Sequence, residues 1–223
     1  MTDIHLGFCT TKLDAVALEN SGQFNILNSA DLTPLTFAVF GNRESLPKKY
    51  NLFINSRDGI LVLVHDDVLI TDKNWREKVR AGLETYDVVG LAGGSEPVIK
   101  NPCLWHLMCP RQTWRGEVRH LSPEGTVFNT KFGPQGRVLI LDGLFLAFRP
   151  KVLIDAGVQF DESNPCIAHF YDIDFSLTCN KKKLKIGTVN VEVVHSSPGL
   201  KEFTPEWLAG EKWFLDKVKR GEY

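Results

Sequence analysis

Residues 60–67 constrain this chain more than any other stretch. Ile60, Leu61, Val62, Leu63 and Val64 form an unbroken apolar run that ends abruptly in His65, Asp66 and Asp67. A short run that is apolar at every position predicts a strand covered on both faces, the kind that fills the middle of a parallel sheet. In open α/β sheets the ligand crevice lies at the carboxyl ends of the strands, which is where these two acids fall. Hard divalent cations take carboxylate oxygens, and Mg2+ is commonly shared between one or two carboxylates and a substrate's phosphates. The same acids also suit a helix N-cap followed by a solvated turn, where Asp is favoured.

Two later segments end in comparable chemistry. Asp172 and Asp174 precede Phe175, Leu177 and Leu184, a spacing that predicts a helix with one face on the core. Acids at a helix N-terminus meet unpaired N–H groups and the macrodipole, so one of the pair is expected to cap. The other is a candidate general base, since a carboxylate in a cleft can take a proton from an attacking hydroxyl. Further on, the alternating stretch 191–194 stops at His195. A lone His after a strand is ordinarily a surface or core residue. Three element ends offering His65/Asp67, Asp172/Asp174 and His195 together match the way α/β sites are assembled.

The intervening pattern reads as alternating strands and helices in one α/β domain. Strands are predicted at 4–9, 35–40, 60–64, 88–92, 138–141, 144–148 and 185–194. Helices are predicted at 45–54, with Pro47 in the first turn, at 72–83 capped by Asp72, after Pro150, and from near Asp172. Residues 206–218 place Trp207, Leu208, Trp213, Phe214 and Leu215 opposite Glu211, Lys212 and Lys217, an amphipathic helix expected to pack on the domain or act as a lid. Residues 93–136 are rich in Gly and Pro and lack clean periodicity, which predicts a binding loop, a lid or short strands.

Bulk properties exclude several classes. The 223 residues carry a formal net charge of −1, so no basic field points to nucleic acid or an anionic membrane surface. No apolar run reaches the length of a bilayer span. Met1-Thr2-Asp3 is not followed by a basic segment and an apolar core, so a cytoplasmic location is expected. The five cysteines are scattered without a CxxC spacing and are read as reduced, buried thiols. Cys103, His106, Cys109 and His120 are zinc-ligand types, but their spacing fits no standard finger or ribbon.

The order of these segments resembles family 2 glycosyltransferases of the GT-A fold, in particular a subgroup whose acidic motif reads His-x-Asp in place of Asp-x-Asp. The resemblance is carried by Tyr50-Asn51, by 63–68 around His65-Asp66-Asp67, and by Val89-Gly90-Leu91-Ala92-Gly93-Gly94. It continues through Leu141-Asp142-Gly143-Leu144-Phe145, through His169-Phe170-Tyr171-Asp172-Ile173-Asp174, and to Val194-His195. It spans about residues 4–197 and implies a single GT-A, Rossmann-like domain with a mostly parallel central sheet flanked by helices. Within it, 1–92 would bind the nucleotide sugar and 93–200 the acceptor, with 201–223 as a C-terminal helix.

The resemblance also implies roles. Asp67 and His195 would bind Mn2+ or Mg2+ bridging the donor diphosphate, and His65 takes the place of the motif's first acid. Thr10, Asn42, His65 and Asp66 would face the nucleotide part of a donor, expected to be a UDP-sugar. Asp172 would be the base of an inverting transfer to a glycan or other hydroxyl acceptor, although Tyr171 stands where the family motif has Glu. Trp105, Asp142 and Gly143 are candidate acceptor contacts, and Trp105 equally suits a core position. One rival is a catalytically inactive domain of this fold that binds a nucleotide or glycan. A second, a nucleotidyltransferase, lacks its Gly-rich basic loop, since Cys9-Thr10-Thr11-Lys12 offers little to cradle a triphosphate.

Overall fold

Alternation along the 60–64 run decides the architecture. Ile60, Val62 and Val64 face one apolar cluster while Leu61 and Leu63 face another, and all five are fully buried. A strand with that pattern needs a layer on each side, each buried Leu, Ile or Val contributing about 1.5–3 kcal/mol of transfer free energy. The computed structural model describes residues 3–32, 35–56, 58–122, 124–197, 199–200 and 202–223.

In chain order the strands are β1 (Ile4–Cys9), β2 (Leu35–Val39), β3 (Ile60–Val64), β4 (Val68–Ile70), β5 (Val88–Gly90), β6 (Ala92–Gly94), β7 (Trp114–Leu121), β8 (Val127–Gly133), β9 (Arg137–Val138), β10 (Ile140–Leu141), β11 (Phe145–Phe148), β12 (Ile186–Thr188) and β13 (Val193–His195). The helices are α1 (Ala15–Glu19), α2 (Leu46–Ile54), α3 (Trp75–Gly82), α4 (Trp105–Met108), α5 (Pro150–Ala156), α6 (Tyr171–Lys181) and α7 (Pro205–Lys219).

The first sheet runs β2-β1-β3-β11-β5-β12-β9 and the second β10-β6-β7-β13-β4, with β8 paired to β7. The expectation of a mostly parallel sheet is corrected here, because the sheets are mixed. β1 lies parallel to β2 and β3, and β12 parallel to β5, but β11 is antiparallel to both β3 and β5. The reason is connectivity. β10 and β11 run on in one direction past the turn 142–144, antiparallel first to β6 and then to β5, so β11 enters the first sheet against its neighbours.

Three expected strands are each divided between the sheets, the 138–141 run breaking at Leu139 into β9 and β10. The 88–92 run breaks at Leu91 into β5 and β6, and the 185–194 run breaks into β12 and β13. The irregular middle holds β6, α4 and the long β7–β8 hairpin. At its bulge Gly116 has φ +100°, and a Cβ there would overlap the Leu91 carbonyl oxygen.

Helix α2 starts as expected, with Pro47 in its first turn. Asp72 does not cap α3. The cap position is Asn74, and Asp72 instead accepts from Asn74 N at 2.9 Å and from Glu192 N at 3.2 Å. α7 packs on the domain through Trp207 and Phe214, both against Phe170, and Thr204 caps it by accepting from Trp207 N at 3.2 Å. Among the described residues no helix is long and apolar enough to cross a membrane. All five cysteines are free and buried.

Candidate active site

Strand register brings the separated segments together. After β3 the chain turns tightly through His65-Asp66-Asp67, with Val68 N donating to the His65 carbonyl at 3.3 Å, and returns as β4 in the second sheet. β4 pairs antiparallel with β13, setting Val68 opposite His195, while Ser196 N donates to the Asp67 carbonyl at 2.9 Å. On its other side β13 lies parallel to β7, so His195 is beside His120. The backbone of His65 donates to Leu144 O at 3.0 Å, drawing the Asp142-Gly143 turn alongside.

Asp67 Oδ1 and His195 Nε2 face each other across 3.4 Å. Both atoms are buried and neither makes a hydrogen bond. A buried polar atom without a partner is costly, so two of them aimed at one point call for an explanation. Burial pushes the Asp67 carboxyl up, but attraction to His195 outweighs it and holds the group below its ordinary range. Burial pulls His195 down, and Asp67 more than restores it, to a net rise. Burial lowers His65, favouring the neutral ring that can ligate.

His65, Asp67 and His195 each offer a ligand atom, and those atoms lie within 4.8 Å of one another. Among the described residues no other His, Cys, Asp or Glu cluster has this geometry, so Cys103, His106, Cys109 and His120 do not form a second one. Oxygen and imidazole ligands bond divalent transition ions at about 2.0–2.2 Å, a span that would satisfy both orphaned atoms at once. One carboxylate with two imidazoles therefore fits a divalent cation. The nitrogen content favours a transition ion over Mg2+.

The head of α6 supplies the rest of the cleft. Phe170 precedes it in the left-handed region at φ +66°, a strained conformation for an aromatic residue, held by its burial on Trp207 and Phe214. Tyr171 Oη lies 2.7 Å from His65 Nε2 and donates to Gly143 O at 3.1 Å. Asp172 accepts from Gly143 N and from Ile173 N, both at 3.0 Å. Burial, reinforced by the nearby Asp142 carboxylate, pushes Asp172 up to about 7.

Asp174 points away from this cleft. It is 1% exposed, lies 2.5 Å from Lys217 Nζ on α7, and also accepts from the Tyr223 hydroxyl. Lys217 meets Asp161 as well, at 2.7 Å. The expected capping role is therefore corrected: the residue preceding α6 is Phe170, with no side-chain cap, and Asp174 is one arm of a buried ion-pair network.

The remaining candidates take distinct places. Trp105 is 6% exposed, packs on Trp114 and Phe132, and donates from Nε1 to Asp142 Oδ2 at 2.8 Å. Asp142 Oδ1 accepts from Leu144 N at 3.1 Å, which fixes the carboxylate. Thr10 and Asn42 are neighbours, Asn42 N donating to Thr10 O at 2.8 Å, but the Asn42 amide is engaged with the backbone of Glu44. Burial raises the Asp66 carboxyl, and a hydrogen bond from Thr10 opposes that rise. Sequence reasoning did not single out Lys217 as the partner of Asp174, nor His120 as the neighbour of His195. For His120 the only signal was its residue type; the pairing of β7 with β13 carries the rest.

An α/β domain of two mixed sheets resembles the GT-A glycosyltransferases in fold. A crystal structure of GalNAc-T7 with UDP, GalNAc and Mn2+ superposes with a TM-score of 0.55 at 10% identity, over 93% of this chain and 47% of that one. The chain thus spans about half the length of that protein. S. aureus TarS 1-349 gives 0.48 at 14% identity, over 87% of this chain and 60% of that one. The mannosyltransferase PcManGT from Pyrobaculum calidifontis, in complex with GDP-Man and Mn2+, gives 0.49 at 16%, over 89% and 58%. No curated protein matches the sequence. Residues 25–211 match the profile described as glycosyltransferase like family, and the chain belongs to that family.

Proposed function

We propose that the protein is a metal-dependent, inverting glycosyltransferase. It moves a sugar from a nucleoside-diphosphate sugar, UDP-linked, to a hydroxyl of a glycan or other acceptor. The observation that carries this reading is the facing pair of orphaned buried atoms, Asp67 Oδ1 and His195 Nε2, beside His65 at the end of β3.

Asp67, His195 and His65 are the residues that would hold a divalent cation, Mn2+ in preference to Mg2+. A bound cation supplies Lewis-acid stabilisation of the charge that builds on the departing nucleoside diphosphate. Thr10, Asn42 and Asp66, grouped at the carboxyl ends of β1, β2 and β3, face the nucleoside. Asp142 and Gly143 border the acceptor, with Trp105 acting through the carboxylate that its indole fixes. Asp172 removes the acceptor's proton. Its two backbone N–H partners aim the carboxylate, and a proton affinity near neutrality suits a general base. Attack from the side opposite the leaving group inverts the anomeric centre.

The test is incubation with a panel of nucleotide sugars and Mn2+, followed by measurement of nucleoside diphosphate release. Release from UDP-sugars, absent without the cation, is expected. Nucleotide binding without release from any donor would instead favour the binding-domain reading.

A further inference from the structure

Tyr171 is an aromatic phenol in a place where its hydroxyl has unusually little choice. The side chain is 2% exposed, with Tyr50, itself 1% exposed, set edge-on at 5.6 Å between ring centroids. Two groups meet the phenol oxygen. Gly143 O receives its proton at 3.1 Å, and His65 Nε2 lies at 2.7 Å. A carbonyl can only accept, and a phenol has one proton to give and two lone pairs to offer. Once the proton is on Gly143 O, the other partner must donate. His65 then carries its proton on Nε2, and a neutral imidazole protonated there has its free lone pair on Nδ1.

We propose that Tyr171 is a positioning residue that fixes His65 in the Nε2–H tautomer, leaving Nδ1 as the one nitrogen of that ring able to ligate a cation. In the opposite tautomer Nε2 would accept from Tyr171, the Gly143 carbonyl would lose its partner, and Nδ1 would carry a hydrogen. His65 would then have no lone pair to give. A partner on the far nitrogen of a metal-binding imidazole is the usual device for setting tautomer and ring orientation. Here a phenol relayed to a backbone carbonyl takes the place of the customary carboxylate or carbonyl.

Gly143 is part of the same device. A Cβ at that position would overlap Tyr171 Oη, approach Tyr171 Cζ to 2.7 Å and come within 3.0 Å of Asp172 Cβ. Its carbonyl takes the Tyr171 proton while its N–H goes to Asp172. One residue without a side chain thereby ties the cation-binding histidine to the proposed base.

The proposal rests on the metal-site reading above, and the experiment separates the two. Metal-free protein labelled with 15N-histidine is examined by long-range 1H–15N correlation, with His65 assigned from a His65→Gln variant. Mn2+ affinity is measured in parallel by electron paramagnetic resonance. Wild type is expected in the Nε2–H form. Tyr171→Phe is expected to lose that preference and to weaken Mn2+ binding roughly 10- to 100-fold, the usual loss when an outer partner of a metal ligand is removed. Asp172→Asn is expected to change neither reading. Mn2+ binding by a wild type whose His65 is in the Nδ1–H form would overturn the Tyr171 assignment alone. An Nε2–H wild type that binds no Mn2+ would overturn the metal reading, and the ligand role of His65 with it. Unchanged tautomer and affinity in Tyr171→Phe would also overturn the proposal, and the wild-type spectrum stands even if that variant does not fold.

Discussion

The carboxylate of Asp174 and the ammonium of Lys217 meet at 2.5 Å beneath the surface, joining the first turn of α6 to the last turns of α7. Two residues earlier on the same helix, Asp172 is aimed the other way by the amide of Gly143. Two acids separated by one residue thus have opposite fates, one closed into an ion pair and one left to the cleft. Removing one partner of a buried pair leaves the other charge uncompensated, at a cost of about 3–5 kcal/mol. Lys217→Met, which strands Asp174, should therefore destabilise more than Asp174→Asn, after which Lys217 retains Asp161. Urea unfolding of the two variants measures the difference; equal losses would show that the pair is not the network's centre.

Asp172→Asn should lower single-turnover transfer by roughly 10²–10⁴-fold, the worth of general-base assistance, while donor and Mn2+ affinities persist. Asp174→Asn should keep its transfer rate in whatever fraction stays folded. Loss of turnover in the Asp174 variant at an unchanged thermal midpoint would reverse the assignment.

The wild-type rate should rise with pH and level off above about 7, because Asp172 is pushed up to about 7 and a base works only when deprotonated. Stability should respond in the opposite sense. A carboxyl whose folded pKa lies above its unfolded value contributes stability that is complete below the unfolded value, and that contribution is lost as pH rises through the folded one. Asp172→Asn should accordingly raise the thermal midpoint relative to wild type more at pH 8 than at pH 4, a contrast readable by calorimetry.

Asp67→Ala should abolish Mn2+-dependent donor turnover and lower the cation's affinity measured without substrate. It should not unfold the protein, since Oδ1 makes no hydrogen bond and His195, without the carboxylate that raises it, can become neutral. Circular dichroism and Mn2+ titration of the same preparation check both halves. Full activity would remove the metal site from consideration.

Gly143→Ala should destabilise by about 1–3 kcal/mol, the cost of overpacking a filled site. Because the nearest obstruction is the Tyr171 hydroxyl, Tyr171→Phe in the same chain should restore part of that loss. Additive losses in the double variant would place the strain elsewhere.

The sequence made the ends of β3 and β13 legible, and with them His65, Asp67 and His195, because an apolar run that stops at acids or histidine is a local signal; Asp172 was legible as an acid at the head of a helix. Helix α7 was legible as a helix because its pattern lies within one segment, but its faces were not: Glu211 and Lys217, expected on the polar side, are buried, and Leu208 is exposed. Strand direction was not. Phe145–Phe148 is as thoroughly buried as Ile60–Val64, yet it runs antiparallel to it, and burial on both faces does not encode direction. The changes of sheet near Leu91 and between Thr188 and Val193 were hidden because β-rich sequence continues through them. The contacts of Tyr171 with His65 and of Lys217 with Asp174 join residues 106 and 43 positions apart, a distance over which residue type alone carries no pairing information.

The ladder between β4 and β13 has a consequence for how the site comes into being. Side chains alternate across a strand, so a slip of one residue in that pairing would turn His195 to the opposite face while leaving most backbone hydrogen bonds intact. A chain misregistered in this way would be compact and yet blind to the cation. On the proposed metal reading, cation affinity would report the fraction of molecules that have closed the β4–β13 pairing in register, and a ligand that binds only those molecules would draw the population toward them by mass action.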